Sequence, residues 1–126
     1  MRRKELSERR KYKRFQAQDR AFAAFSSSVK EIGQIIDISK GGLAVRYLPS
    51  QDQVTDSSDL EIFLANNGFH LKKVPFKTIS DFEIPSEFAI SSIAMRRRGV
   101  QFGKLSHIQT SQLEHFLLNH TVGEAR

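Results

Sequence analysis

The sequence predicts a mostly β fold, a small antiparallel barrel with one α-helix at its C-terminal end and a flexible basic arm ahead of it. Three observations carry that expectation. Short apolar runs rich in β-branched residues recur between residues 21 and 102, separated by polar, glycine- or proline-bearing turns. A single segment near the C-terminus has helical spacing behind a capping signal. The first 20 residues carry almost no core-forming side chains except Leu6 and Phe15. Six or so short strands followed by one amphipathic helix suit a barrel with the helix over an opening.

The elements follow in order. In the arm, Ser7 can cap a short helix over 8–14, and a flexible arm is an equal reading. Residues 21–25 form a short apolar strand, and Ser26-Ser27-Ser28 a turn. Residues 29–38 form the next strand on Ile32, Ile35, Ile36 and Ile38, with Gly33 marking a bulge or bend. Residues 37–42 make a tight polar turn, 43–48 a strand that Pro49 ends, and 49–59 a polar loop. Residues 60–64 and 69–82 are strands around the hairpin signal Asn66-Asn67-Gly68, with Pro75 at an edge or bulge. Residues 84–92 read as a loop with a short strand, and 93–102 as the last strand. Ser106 and Gln109 have capping-box spacing, and Ile108, Leu113, Phe116 and Leu117 fall broadly on one helical face. The expected organisation is an arm over 1–20, barrel and helix over 21–120, and a polar tail over 121–126. Among the ten phenylalanines, Phe22, Phe25, Phe63, Phe76, Phe102 and Phe116 are the expected core.

Composition narrows the function classes. A chain of 126 residues, 39% apolar, supports one modest core. With no cysteine, disulfides and thiolate zinc sites are excluded, which fits a reducing, cytoplasmic setting. No apolar run is long enough to span a membrane, and no apolar signal segment follows the basic N-terminus. The net charge of +6 is confined to the arm: residues 1–20 hold nine Lys or Arg against three Asp or Glu, and the rest holds eleven of each sign. An anionic partner is therefore met by the arm rather than by the barrel.

Two stretches carry chemistry. In Arg9-Arg10-Lys11-Tyr12-Lys13-Arg14, Arg10 and Arg14 are four apart, so they share a face on a helical turn or straddle a ligand on an extended arm. Guanidinium forks match phosphate oxygens or the O6/N7 edge of guanine. By itself such a run is more often a solvated basic tail. In Asp37-Ile38-Ser39-Lys40-Gly41-Gly42, Asp37 and Ser39 point to one side of a strand end. A carboxylate there accepts from guanine N1–H and N2–H₂, and the Ser39 hydroxyl donates or accepts. Gly41 and Gly42 allow positive φ and close ligand approach. Alone, this is more often an ordinary Asx/Ser turn.

Together, an R-R-x-x-x-R run ahead of D-x-S-x-x-G, then Leu43-Ala44-Val45, a later Arg98-Gly99-Val100-Gln101-Phe102 strand and a terminal helix, the chain resembles the PilZ domain, a family of bacterial cyclic di-GMP receptors. The resemblance covers roughly residues 7–118. It implies a six-stranded barrel with a C-terminal helix. It also implies that Arg10 and Arg14 clamp guanine and phosphates, while Asp37, Ser39 and Gly42 line the guanine, with Gly41 a further ligand-binding residue. Arg9 sits where an extra cation favours a stacked pair of cyclic di-GMP molecules over one. Lys13 and Arg98 are accessory candidates. The expected function is a cytoplasmic, non-catalytic receptor whose arm orders over the barrel and presents a surface to an unidentified output protein. The alternative is a small basic barrel binding RNA or DNA through its arm.

The remaining polar clusters carry less. On a strand, Arg96 and Arg98 share one face and Arg97 takes the other, with solvent-facing charges favoured over a role at the ligand pocket. Lys72-Lys73 reads as a solvated edge that discourages strand pairing. His115 and His120, five apart, do not share a helical face, and His70 and His107 have no carboxylate at ligand spacing, so no metal site is expected. Neither a phosphate-binding glycine loop nor a base sequence-adjacent to Ser39 supports catalysis.

Overall fold

The computed structural model describes residues 12–25, 31–49, 59–65, 68–85 and 94–125. These contain β1 (Phe15–Ala17), β2 (Ala21–Phe25), β3 (Glu31–Ile38), β4 (Gly42–Tyr47), β5 (Asp59–Leu64), β6 (His70–Glu83), β7 (Arg96–Phe102), α1 (His107–Asn119) and β8 (Thr121–Glu124). Neighbouring strands run in the order β2-β5-β6-β7-β4-β3, and β3 pairs back onto β2, so six antiparallel strands close into a barrel. Closure leaves no open edge around the ring. The expected turn over 26–28, most of the loop over 49–59, Asn66, Asn67 and most of 84–92 lie outside the described residues.

Alternation of side chains sets the inside of the barrel. Ala21, Ala23 and Phe25 of β2, Leu60, Ile62 and Leu64 of β5, and Leu43, Val45 and Tyr47 of β4 are all buried. The same period turns Phe22 and Phe63 outwards. They stack on each other on the outer wall, ring centroids 5.7 Å apart, rather than joining the core as expected. Phe25 and Phe116 are core residues, and Phe76 and Phe102 pack against the core while partly buried. Gly33 sits in regular register opposite Ala23, with no bulge. A Cβ there would meet the Val45 Cβ at 2.8 Å, so the glycine lets β4 come close.

One end of the barrel is covered by α1. Ser106 Oγ accepts from Gln109 N (3.1 Å), and Gln109 Oε1 accepts from Ser106 N (2.9 Å), which completes the capping box. Leu113 and Phe116 reach the core, where each contributes about 1.5–3 kcal/mol of burial. Ile108 does not share their face and is 71% exposed: it is five residues from Leu113, a rotation of about 140°. Thr121–Glu124, expected as polar tail, is strand β8. It pairs with β1, which pairs with the far end of β3, so β1 and β8 form a flap beside the barrel. No helix among the described residues is long and apolar enough to cross a membrane.

Candidate functional site

The site is built on a break in the register of β3. Ile35 pairs with Val45, but the next pair is Asp37 with Ala44, leaving Ile36 as the extra residue of a bulge. Ile35 and Ile38 both face the core. Without the bulge, Asp37 would follow Ile35 inwards; with it, Asp37 shares the outer face with Ala44. Bulges do this elsewhere: they re-aim one side chain without disturbing the core around it.

On that face Asp37 meets two cations. Arg14 Nη1 donates to Asp37 Oδ1 (2.8 Å) and Arg97 Nη2 donates to Asp37 Oδ2 (3.3 Å). The Asp37 side chain retains 11% of its exposure, against 26% for Arg14 and 31% for Arg97. A carboxylate this covered is held by its partners, and a charge-assisted bond of this kind contributes roughly 1.5–3 kcal/mol. Arg14 is brought there by β1, through the pairs Phe15 with Ile38 and Gln16 with Asp37. Arg97 comes from β7, two strands away, and spans β4 to reach Asp37.

The following turn is closed by Ser39. Its N–H donates to Gly42 O (2.8 Å), and its buried Oγ accepts from Gly41 N (3.1 Å). Neither Gly41 nor Gly42 adopts a positive φ; among the described glycines only Gly68 and Gly123 do. Their smallness serves protein contacts instead. A Cβ on Gly42 would stand 2.2 Å from Val100 O, and one on Gly41 would stand 2.8 Å from the Tyr12 ring. Gly42 thus allows β4 to approach β7, and Gly41 receives Tyr12 from the arm.

The expected residues are distributed as follows. Arg14, Asp37, Ser39, Gly41 and Gly42 come together on one outer patch. Lys13 is exposed next to Arg14, and Arg9 and Arg10 lie outside the described residues. Arg98, an accessory candidate, is not brought to this patch. Alternation puts it on the inner face, where Nη1 donates to buried Glu31 (2.9 Å) and the guanidinium lies 4.4 Å from the Phe25 ring centroid. Arg97 takes its place beside Asp37. The alternation of 96–98 was legible, but which side faced Asp37 depended on Val100 pointing inwards. None of the three arginines is a merely solvated charge, since Arg96 also pairs with Asp81 (2.8 Å). Tyr12 was the second residue missed, an aromatic side chain set within the cationic run.

The histidines also differ from expectation. His120 caps the end of α1 and leaves the helical path, so its ring comes within 5.6 Å of His115 and packs edge-on to Phe69. Burial, then the neighbouring His115, lower the His120 pKa. Among the described residues no three His, Asp or Glu side chains gather at metal-ligating distance.

The patch therefore offers two guanidiniums oriented on one carboxylate and a serine-closed turn held tightly against β7 at Gly42. Such a set can bind a planar donor edge and an anion together. The fold is similar to the cyclic di-GMP-bound PilZ domain of YcgR from Escherichia coli, with a TM-score of 0.69 at 16% identity over 89% of this chain and 91% of that one. It is similar to YcgR from Escherichia coli in complex with cyclic di-GMP, at TM-score 0.64 and 19% identity, over 87% of this chain and 45% of that one. It is also similar to MrkH of K. pneumonia in its cyclic di-GMP complex, at TM-score 0.64 and 18% identity, over 87% and 51%. The chain spans about half the length of these last two proteins. No curated protein is similar to it in sequence. The PilZ domain matches residues 8–119, most of the chain and both motif stretches, and the chain belongs to the PilZ domain family.

Proposed function

We propose that the protein is a non-catalytic receptor for cyclic di-GMP in bacterial second-messenger signalling, acting in the cytoplasm. The observation that carries this reading is the Arg14–Asp37 ion pair, which joins the two motif stretches on the outer wall of the barrel. Family membership and the cyclic di-GMP complexes of similar folds support it.

The chemistry divides by residue. Each Asp37 oxygen takes one guanidinium bond and keeps a lone pair, so the carboxylate can accept from guanine N1–H and N2–H₂ while remaining paired. Ser39 and Gly42 line the base, Ser39 through the turn it closes and Gly42 by letting β4 lie close to β7, which fixes that turn in place. Arg14 and Arg10 supply forks for the phosphates and the guanine O6/N7 edge. Arg97 adds a guanidinium from the opposite direction. Arg9 is the further cation that suits a stacked ligand pair carrying four phosphate charges. Neutralising the cations of residues 9–14 orders the arm over the barrel, with Tyr12 seated on Gly41 as its hinge-side anchor. The resulting surface is read by a separate output protein.

Isothermal titration with cyclic di-GMP tests this. Saturable binding at two ligands per chain is expected, with GMP and GTP inert at the same concentration. Arg10→Ala, Arg14→Ala and Asp37→Ala are each expected to abolish it. Parent-like binding by those variants refutes the site, and a 1:1 end point refutes the stacked pair.

A further inference from the structure

A groove crosses the barrel wall next to the Ser39–Gly42 turn, and the ligand chemistry above makes no use of it. It consists of two depressions that meet at Pro75. One, of about 510 Å³, is lined by Asp59, Lys73, Lys104, Leu105, Ser106 and Gln109 as well as Pro75. The other, of about 400 Å³, adds Phe76, Lys77, Gln101, Phe102 and Gly103. Gly103 N donates to Pro75 O (2.7 Å), which fixes the saddle between them.

The floor is apolar and the rim is cationic. Pro75, Phe76, Phe102 and Leu105 form the floor; Lys73, Lys77 and Lys104 stand around it, against one carboxylate, Asp59, among the described lining residues. Lys73 is aimed there by the backbone. It has a φ of 56°, inside a bulge that opposes two residues of β6 to one of β5. Gln109 Nε2 holds that conformation by donating to Lys72 O and Lys73 O, both at 2.9 Å. A non-glycine residue in this region is costly unless its surroundings determine it, so Lys73 is a built feature of the wall. The expected reading of Lys72-Lys73 as a plain solvated edge does not account for it.

We propose that this groove docks an acidic segment of a partner protein, with one large apolar side chain seated on Pro75, Phe102 and Leu105 and carboxylates meeting Lys73, Lys77 and Lys104. Charge complementarity selects the acidic occupant, and the apolar floor supplies the anchor site that a charge-only contact lacks. A nucleic acid strand fits less well. It needs open ring faces for stacking, and Phe76 is turned edge-on into Phe25 (5.2 Å) while Phe102 is only partly exposed. The groove is wired to the nucleotide site: Phe102 N donates to Gly41 O (2.9 Å), and Gly42 pairs with Gln101. Calling the groove an output surface rests on the receptor reading; its acidic-peptide chemistry does not.

The test uses the full chain and a fluorescent synthetic peptide with glutamates flanking a central phenylalanine. Fluorescence anisotropy should show saturable binding below about 1 mM, and NMR shifts should concentrate on Phe102, Gly103 and Leu105. The exposed-site triple variant Lys73→Glu, Lys77→Glu, Lys104→Glu should keep the parent melting temperature and lose about tenfold or more in affinity. Replacing the peptide phenylalanine with alanine should have a comparable effect. The proposal is overturned by an absence of saturable binding, by an unaffected triple variant, by indifference to the central phenylalanine, or by a single-stranded oligothymidylate of equal charge that displaces the peptide. Arg14→Ala separates the two readings, because it should lose cyclic di-GMP and keep the peptide.

Discussion

Replacing Gly42 with alanine distinguishes a glycine kept for the ligand from one kept for the barrel. The added Cβ would lie 2.2 Å from Val100 O, and 3.2 Å from the Val100 carbonyl carbon. These are backbone atoms of β7, so no side-chain rotation relieves the contact. The two strands must part by about 1 Å to restore van der Waals distance, which is overpacking of the kind that costs about 1–3 kcal/mol. The same movement strains Phe102 N to Gly41 O (2.9 Å) and Ser39 N to Gly42 O (2.8 Å), each contributing about 1 kcal/mol. A total near 3 kcal/mol corresponds to a fall in Tm of roughly 10 °C for a chain of this size. The assay is thermal unfolding by circular dichroism without any nucleotide. Gly41→Ala is the internal control, since its Cβ meets only the half-exposed ring of Tyr12 at 2.8 Å, which can swing aside for less than about 1 kcal/mol. A Gly42→Ala protein that melts within about 2 °C of the parent would refute the argument. It would return Gly42 to the role of ligand clearance alone.

Other outcomes are expected. Arg97→Met should weaken cyclic di-GMP about tenfold by calorimetry, from loss of one charge-assisted contact, while Arg98→Met should leave affinity unchanged and lower stability by stranding buried Glu31. Tyr47, buried and donating to Asp81 Oδ2 (2.6 Å), has its phenol pushed up to about 12, by burial first and then by Asp81. Because the folded-state value is raised, its contribution to stability is whole below about pH 10. That contribution is lost as pH rises towards 12, and ultraviolet titration should show one of the two tyrosines ionising late. The lowered pKa of His120 has the opposite sign: its contribution is whole above about pH 6.5 and fades as pH falls through the depressed folded value. Since His120 O accepts from Gln18 N (3.3 Å) at the β1–β8 flap, amide protection there, measured against the intrinsic exchange rate at each pH, should fall on acidification, and His120→Phe should blunt the response.

Some of this was legible because local chemistry decides it. The capping box at Ser106 needs only two side chains three residues apart, and it formed as expected. The strand at residues 21–25 matched to the residue, since alternating apolar side chains admit one face for the core. Closure into six antiparallel strands was likewise expected, and the barrel has them. The misses share a cause. The bulge at Ile36 leaves no composition signal, yet it alone decides that Asp37 faces out. Phe22 and Phe63 looked like core by type, but neighbours of the right parity had already filled the interior. Thr121–Glu124 has no apolar pattern, and it becomes a strand because β1 offers it an edge.

By itself the sequence determined the inventory: a basic run, a carboxylate-serine-glycine turn, six β-rich segments and a capped helix. These follow from side-chain type and short spacing, which act within a turn or a strand. Tertiary structure decided which groups meet. Arg97 reaches Asp37 across 60 residues of chain only because β4 lies between β3 and β7 in the closed ring, while its neighbour Arg98 is carried inwards to Glu31. Register and closure assign each side chain to a face, and both are set by pairings among distant strands rather than by any residue alone.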